Sequence, residues 1–423
     1  MAVCRENPVD LCNEQLRYSW GRIQDQDDEE PCERSDAALT RSVSLSVKEE
    51  RIMRYYTGQH QYYCGVDLHA RTMYLCIVNQ ADEILYHKEI PTNADLFVEK
   101  LAPYREDVVV SVECIFTWYW LADLCAEQKI PFVLGHALYM KAIHGSKTKN
   151  DRIDSKKIAK LLRAGMIPMA YVYPKPMRST RDLLRRRMHF VRQRADLLTH
   201  IQQTNYQYNL PKIGKTLKYK GNREGVAERF EDESARKTVE VDLELIAYYD
   251  TMIRQLELHL VHSAKAHDPA VLQILQTIPG IGKILSLVIL YEIQDIHRFP
   301  KVQNFTSYAR LIRPKKTSAG KSYGNGNGRI GNSYLKWAFS EAVMLFLRET
   351  PEAQPYIRRM ERKYGKDKAK GIVAHRLGRT VYYMLKKTQV FDIKKFVNQA
   401  SASPHGAGRQ SNRDAPSSQA VSQ

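Results

Sequence analysis

The stretch VVVSVE at Val108–Glu113 limits the fold of this chain more than any other. Its apolar residues run on without a polar alternate, so both faces of the strand must be covered, as in the interior of a sheet layered with helices. It also ends on a carboxylate. The segments around it fit such a sheet. YYCGVDLHA from Tyr62 reads as a short buried strand ending on Asp67. Strands at Thr72 to Val78 and Glu83 to Ile90 follow, joined by a turn at Asn79 to Asp82. Thr92 and Asn93 open a helix through Leu101, Trp118 to Gln128 is helical, and Ile130 to Leu134 is the last strand. The order β-β-β-α-β-α-β-α predicts an α/β layer architecture.

The next helix begins in KTKNDRIDSKKIA, Lys147 to Ala159, with Asn150 as its N-cap. Asp151 and Asp154 are three residues apart, so they share one face, while Ile153, Ile158, Leu161 and Leu162 supply the apolar side. An Asp at a helix start also suits the helix dipole, and an Asp after a strand is an ordinary turn residue. It is therefore the set of four that points to chemistry. Asp67 and Glu113 end the first and fourth strands, and Asp151 and Asp154 lie on the helix after the fifth. This is an RNase H-like arrangement, in which carboxylates gather around Mg²⁺ or Mn²⁺. Phosphoryl transfer uses two such cations about 4 Å apart, one at the attacking and one at the leaving oxygen.

The 423 residues carry 65 Lys and Arg against 47 Asp and Glu, a net charge of +18, which argues for a polyanionic partner, nucleic acid first. From Met140 to His200 sixteen Lys and Arg face four acids, with Arg185, Arg186 and Arg187 in tandem. This run is expected to hold a nucleic-acid backbone beside the acids. No apolar run approaches a membrane span and the N-terminus lacks a signal-peptide core, so a soluble, cytoplasmic protein without a membrane partner is expected. Seven cysteines show no zinc spacing and read as reduced thiols.

Leu184, Met188, Val191, Ala195 and Leu198 step by four and three, the spacing of a coiled-coil seam. A second helix from about Val239 to His262 repeats it with Leu245, Tyr249, Met252 and Leu256. A long helical hairpin that packs against its copy in another subunit is expected, with the polar stretch Pro211 to Lys237 between its arms. Beyond Asp268, IPGIG at Ile278 to Gly282 joins two apolar helices in a helix-hairpin-helix-like turn that suits a phosphate. After a helix at Val302 to Leu311 comes the loop RPKKTSAGKSYGNGNGRIGN, cationic and glycine-rich, whose Ser318 and Ser322 are candidate nucleophiles. An apolar helix, Asn332 to Arg348, and a basic helical stretch, Arg358 to Lys387, complete the region.

GVDLH, VECIF and NDRIDS, with IPGIG and RPKKTSAGKSYGNGNGRIGNSYLKWAF after them, together resemble the DEDD (RuvC-like) transposases of bacterial insertion-sequence family one-hundred-ten, relatives of the pilin-gene invertases. The likeness spans about residues 62 to 390 in order. It implies a RuvC-like catalytic domain at 61–172, a coiled-coil hairpin at 173–265 and a mainly α-helical transposase domain at 266–396; it omits residues 1–60, whose composition reads as a flexible extension, and 397–423, which read as a disordered tail. It implies a recombinase acting at the bacterial nucleoid on element ends and target DNA, as a dimer or tetramer, with a structured guide RNA in some members. Asp67, Glu113, Asp151 and Asp154 would hold the metal. The family's Ser-Gly stretch falls on SAGK, which makes Ser318 the candidate nucleophile, although Ala319 departs from the commonest form and Ser322 is close by. The alternative enzyme is a junction resolvase that uses the same metals and water.

Overall fold

Val108–Glu113 is an interior strand, β4 of a five-stranded sheet of order β3-β2-β1-β4-β5. The computed structural model describes residues 54–143, 150–263, 267–318, 321–325, 328 and 330–398. The other strands are β1 (Tyr62–Leu68), β2 (Thr72–Asn79), β3 (Ile84–Pro91) and β5 (Phe132–Gly135). β1 pairs antiparallel with β2 and parallel with β4, and β5 continues the parallel half. Helices α1 (Ala94–Leu101), α2 (Trp118–Glu127), α3 (Ala137–Ile143) and α4 (Asp151–Arg163) complete the unit. Cys64, Val66, Val110 and Val112 pack with Phe97 and Leu121 on one face. Tyr63, Val109 and Val133 pack with Ile158 and Leu162 on the other. Burial on two faces is why β4 does not alternate. The last strand begins two residues later than its sequence suggested, and α3 was not foreseen.

Gly65 sets how closely α4 approaches the sheet. A Cβ there would lie 2.3 Å from both the Ser155 carbonyl oxygen and the Ala159 amide nitrogen, backbone atoms that cannot swing aside. Gly65→Ala must therefore push α4 off β1. Overpacking of this kind costs about 1–3 kcal/mol, and urea unfolding should show a loss in that range. A variant as stable as the parent would mean that the close approach is not real. Of the extension expected at 1–60, residues 54–60 are tied to this unit, through Tyr56 N–H to the Ile167 carbonyl (3.2 Å) and His60 to Asp107 (2.6 Å). Residues 1–53 lie outside the described residues, as does the tail beyond 398.

Two long helices follow, α5 (Lys175–Gln207) and α6 (Glu233–Ser263), running antiparallel. Arg187, Arg194 and His200 on α5 meet Glu257, Asp250 and Asp242 on α6 in that reversed order. Alongside these pairs α6 buries Val239, Ile246, Ile253 and Leu260, seven residues apart. The face that packs is thus one position away from part of the expected seam: Leu245 is 41% exposed, and Ala195 of α5 is exposed. Several heptad frames fit the apolar residues of α6. The frame adopted is the one whose acids meet the arginines of α5.

Beyond α6 the described residues form helices and one hairpin: α7 (Pro269–Gln276), α8 (Lys283–Ile293), α9 (Val302–Tyr308), β6 (Lys315–Ser318), β7 (Lys321–Asn325), α10 (Ser333–Glu349), α11 (Gln354–Tyr364), α12 (Lys366–Lys387) and α13 (Ile393–Asn398). α8 is buried on every side from Leu285 to Ile293, the pattern of a central helix. Phe305, Phe339, Phe346, Leu377 and Val381 share its core. In the IPGIG turn Gly280 has φ +80, and a Cβ would lie 2.5 Å from the Phe346 amide nitrogen, so the turn presses against the backbone of α10. The cationic loop is not irregular throughout, since β6 and β7 pair antiparallel within it.

Glu292 of α8, 2% exposed, ties three elements together. Arg181 and Arg185 of α5 bond its carboxylate at 2.7–3.1 Å. Asn332, the N-cap of α10, donates to it at 2.7 Å. Burial alone would raise this carboxyl, but Arg185 and Arg181 overcome that and hold it below its ordinary value. Glu292→Gln leaves two guanidinium groups under-compensated, a change expected to cost about 3–5 kcal/mol in urea unfolding. A loss under about 1 kcal/mol would show the network to be dispensable.

Candidate active site

Register brings the first two acids together. β1 and β4 pair in parallel up to Val66 opposite Val112, so the next residues, Asp67 and Glu113, sit side by side at the C-terminal ends of neighbouring strands. Asn150 caps α4 by accepting from the Arg152 amide at 2.9 Å, which fixes Asp151 in the first turn. Because Gly65 lets α4 rest on β1, that turn lies over Asp67.

Among the described residues, Asp67, His69 and Asp151 each offer one ligand atom, all within 4.8 Å of one another. His69 Nε2 lies 3.6 Å from Asp67 Oδ1 and 3.5 Å from Asp151 Oδ2. Asp154 is close enough to act on Asp67, and its Oδ1 is 3.4 Å from Lys157 Nζ. The Asp67 side chain is only 13% exposed. Burial pushes its carboxyl up to about 6, with Asp151, Asp154 and Glu113 adding to the rise and His69 opposing it. An acid so placed carries a charge that its surroundings do not balance, and hard oxygen donors of this kind suit a divalent cation.

Beside the acids, a groove of about 470 Å³ is lined by Ile84, His87, Arg152, Ile153, Lys156 and Lys160. Ile153, expected on the apolar side of α4, is 40% exposed and belongs to this groove. The tandem arginines serve differently from the reading of the sequence. Arg185 and Arg187 are engaged with Glu292 and Glu257, while Arg178 is buried against Asp123 (2.7 Å) and stacks over Trp118. Much of the charge on α5 therefore binds the chain to itself, whereas Arg152, Lys156 and Lys160 of α4 line the groove.

Ser318 is the last residue of β6, exposed, and pairs across the hairpin with Lys321; Ser322 pairs with Thr317. Ala319 and Gly320 between them lie outside the described residues. The base of the hairpin is firmly held. Asn332 N–H donates to the Tyr308 carbonyl at 2.6 Å, and Arg310 Nε to the Ile330 carbonyl at 3.2 Å. Gly331, at φ +99, is pressed against that same Tyr308 oxygen. Asn332 then passes the constraint to Glu292. The hairpin thus stands on a fixed footing in the helical core, on a different part of the chain from the acids.

Sequence reasoning missed His69 and Gly65, although both lie in GVDLH. The signal for His69 was its offset of two from Asp67, which keeps neighbouring side chains on one side of an extended chain.

Residues 64–209 match a family model for DEDD transposases of the IS110 group, described as a transposase. Residues 272–358 match a second, described as the transposase IS116/IS110/IS902 family. The chain is also 22% identical over 339 residues to the transposase for insertion sequence element IS1111A of Coxiella burnetii (strain RSA 493 / Nine Mile phase I), covering 77% of this chain and 90% of that protein. No helix among the described residues is long and apolar enough to cross a membrane.

Proposed function

Starting from a chain that belongs to the IS116/IS110/IS902 family of transposases and acts on DNA as a transposase, we propose that it cuts and rejoins DNA through Ser318, with a divalent cation held by Asp67, Glu113, Asp151 and Asp154. The observation that carries the reading is the meeting of Asp67 with Asp151 across the close approach at Gly65, with Glu113 on the neighbouring strand. The donor set fits Mg²⁺ or Mn²⁺. Such a cation supplies charge neutralisation and Lewis-acid polarisation at the scissile phosphate.

Attack by Ser318 Oγ on the phosphorus forms a phosphoserine ester and expels a deoxyribose oxygen, which takes up a proton. Attack by a deoxyribose hydroxyl of another strand then restores a phosphodiester and returns the hydrogen to Ser318. Every phosphoester broken is matched by one formed, so exchange needs no nucleotide hydrolysis. Arg152, Lys156 and Lys160 would hold the DNA backbone beside the acids, which would otherwise repel it.

The remaining assignments belong to the same proposal. The division at 61–172, 173–265 and 266–396 is supported by two cores within the first part and one confined to the hairpin, while Leu184 and Leu260 of the hairpin join the core of the third part. Val241, Leu245 and Tyr248, exposed on α6 at steps of four and three, support a coiled coil with a second subunit in a dimer or tetramer. Exposed Tyr206, Tyr208 and Tyr219 with nearby lysines support stacking on a guide RNA. The IPGIG turn is assigned a DNA phosphate.

A denaturing gel of protein with labelled element-end DNA and Mg²⁺ tests the function. A covalent protein–DNA band that disappears with EDTA is expected. Free 5′-phosphate ends without that band would identify water as the nucleophile. Binding without cleavage, unchanged by EDTA, would reduce the acids to a structural role.

A further inference from the structure

The reading above gives the cation four carboxylates, but the structure sets a fifth group among them. His69 directly follows β1, and its backbone is fixed on both sides. Its N–H donates to the Thr72 carbonyl at 3.0 Å, and its own carbonyl accepts from Thr92 Oγ1 at 3.0 Å. The imidazole is therefore presented from a rigid turn. Its Nε2 is 3.6 Å from Asp67 Oδ1 and 3.5 Å from Asp151 Oδ2.

Those separations are too long for good hydrogen bonds. They match another relationship. Two donors each about 2.1 Å from one ion, at angles between 90° and 110°, stand roughly 3.0–3.5 Å from each other. Nε2 thus lies within about 0.1 Å of the spacing one ligand of a coordination shell keeps from its neighbours, and it does so toward two carboxylates at once. The ring is 46% exposed, so it can turn onto an ion without disturbing a core.

We propose that His69 is a further ligand of the cation held by Asp67 and Asp151, and that it biases the site toward Mn²⁺ over Mg²⁺. The proposal rests on the metal reading above. Its physical basis is the donor type: Mg²⁺ takes oxygen ligands almost exclusively, whereas Mn²⁺, a transition-metal ion that also favours oxygen, tolerates an imidazole nitrogen better than Mg²⁺ does.

The test uses Mn²⁺ itself as the probe, on full-length protein. Pulsed electron paramagnetic resonance of bound Mn²⁺ should show coupling to a ¹⁴N nucleus. His69→Ala should lose that coupling and bind Mn²⁺ on the order of 10-fold more weakly, with Mg²⁺ binding changed less. His69→Gln should also lose the coupling while preserving a polar side chain, which guards against a folding defect in the alanine variant. His87→Ala, which alters the histidine of the adjoining groove, should keep it. Mn²⁺ bound without nitrogen coupling, or coupling that survives in both His69 variants, overturns the proposal and leaves the carboxylate site intact. Failure of the parent protein to bind Mn²⁺ overturns both.

Discussion

Ser318→Ala is expected to form no covalent protein–DNA adduct and to lose strand transfer by at least about 10³-fold, while retaining its affinity for the same DNA. The reason is local. Ser318 is exposed at the end of β6, so removing its hydroxyl opens no cavity and strands no buried partner. The base of the hairpin is held by Tyr308, Arg310, Gly331 and Asn332, none of which depends on Ser318. A loss of activity in this variant therefore reports on chemistry and not on folding. Ser322 lies one rung away, opposite Thr317, and provides the comparison. If the adduct persists in Ser318→Ala and vanishes in Ser322→Ala, the nucleophile is Ser322. If it persists in both, the hairpin does not carry the attacking group. Quantifying the adduct after denaturation, with binding measured in parallel by anisotropy, separates these results.

The α/β unit was legible because its elements are short and strongly marked. Val108–Glu113 gave an interior strand, Asn150 and Asn93 gave helix starts, and acids at strand ends gave a candidate site, all from rules acting within a few residues. What stayed hidden depends on contacts between distant residues. A sequence does not show that Gly65 faces the backbone at Ser155 and Ala159, nor that Glu292 will neutralise Arg181 and Arg185 more than a hundred positions earlier. That second pairing is why Arg181 and Arg185, in a run that reads as a phosphate-binding surface, are engaged within the chain, while Arg186 stays exposed. The face of α6 that packs within the hairpin stayed hidden for a related reason. Apolar spacing alone permits neighbouring heptad frames, and the ion pairs of Asp242, Asp250 and Glu257 with α5 select among them. The hairpin β6–β7 was missed because glycine and lysine have low strand propensity, and only pairing reveals it.

Asp67→Asn is expected to raise the stability of the metal-free protein at pH 7.5 while reducing strand transfer by at least about 10³-fold, so that stability and activity move in opposite directions. The sign follows from where the carboxyl titrates. Burial first, and then Asp151, Asp154 and Glu113, push it from 3.8 up to about 6 against the pull of His69. A carboxyl raised in the folded state favours folding while it is protonated, below its unfolded value near 3.8. That contribution is lost as pH rises through about 6, and above it the folded chain bears an unfavourable charge worth roughly 2–3 kcal/mol. Asn has nearly the same shape and no charge, so it removes the cost. A divalent cation removes it too, so Mg²⁺ or Mn²⁺ should raise the melting temperature of the parent at pH 7.5 and have little effect on Asp67→Asn. Glu292 shows the opposite case. It is buried more deeply but matched by Arg181 and Arg185, so its removal lowers stability. Thermal melts of both variants, with and without cation, thus distinguish an acid that awaits a ligand from one that already has its partners. An Asp67→Asn protein less stable than its parent without metal would place Asp67 in the second group and remove the centre of the proposed site.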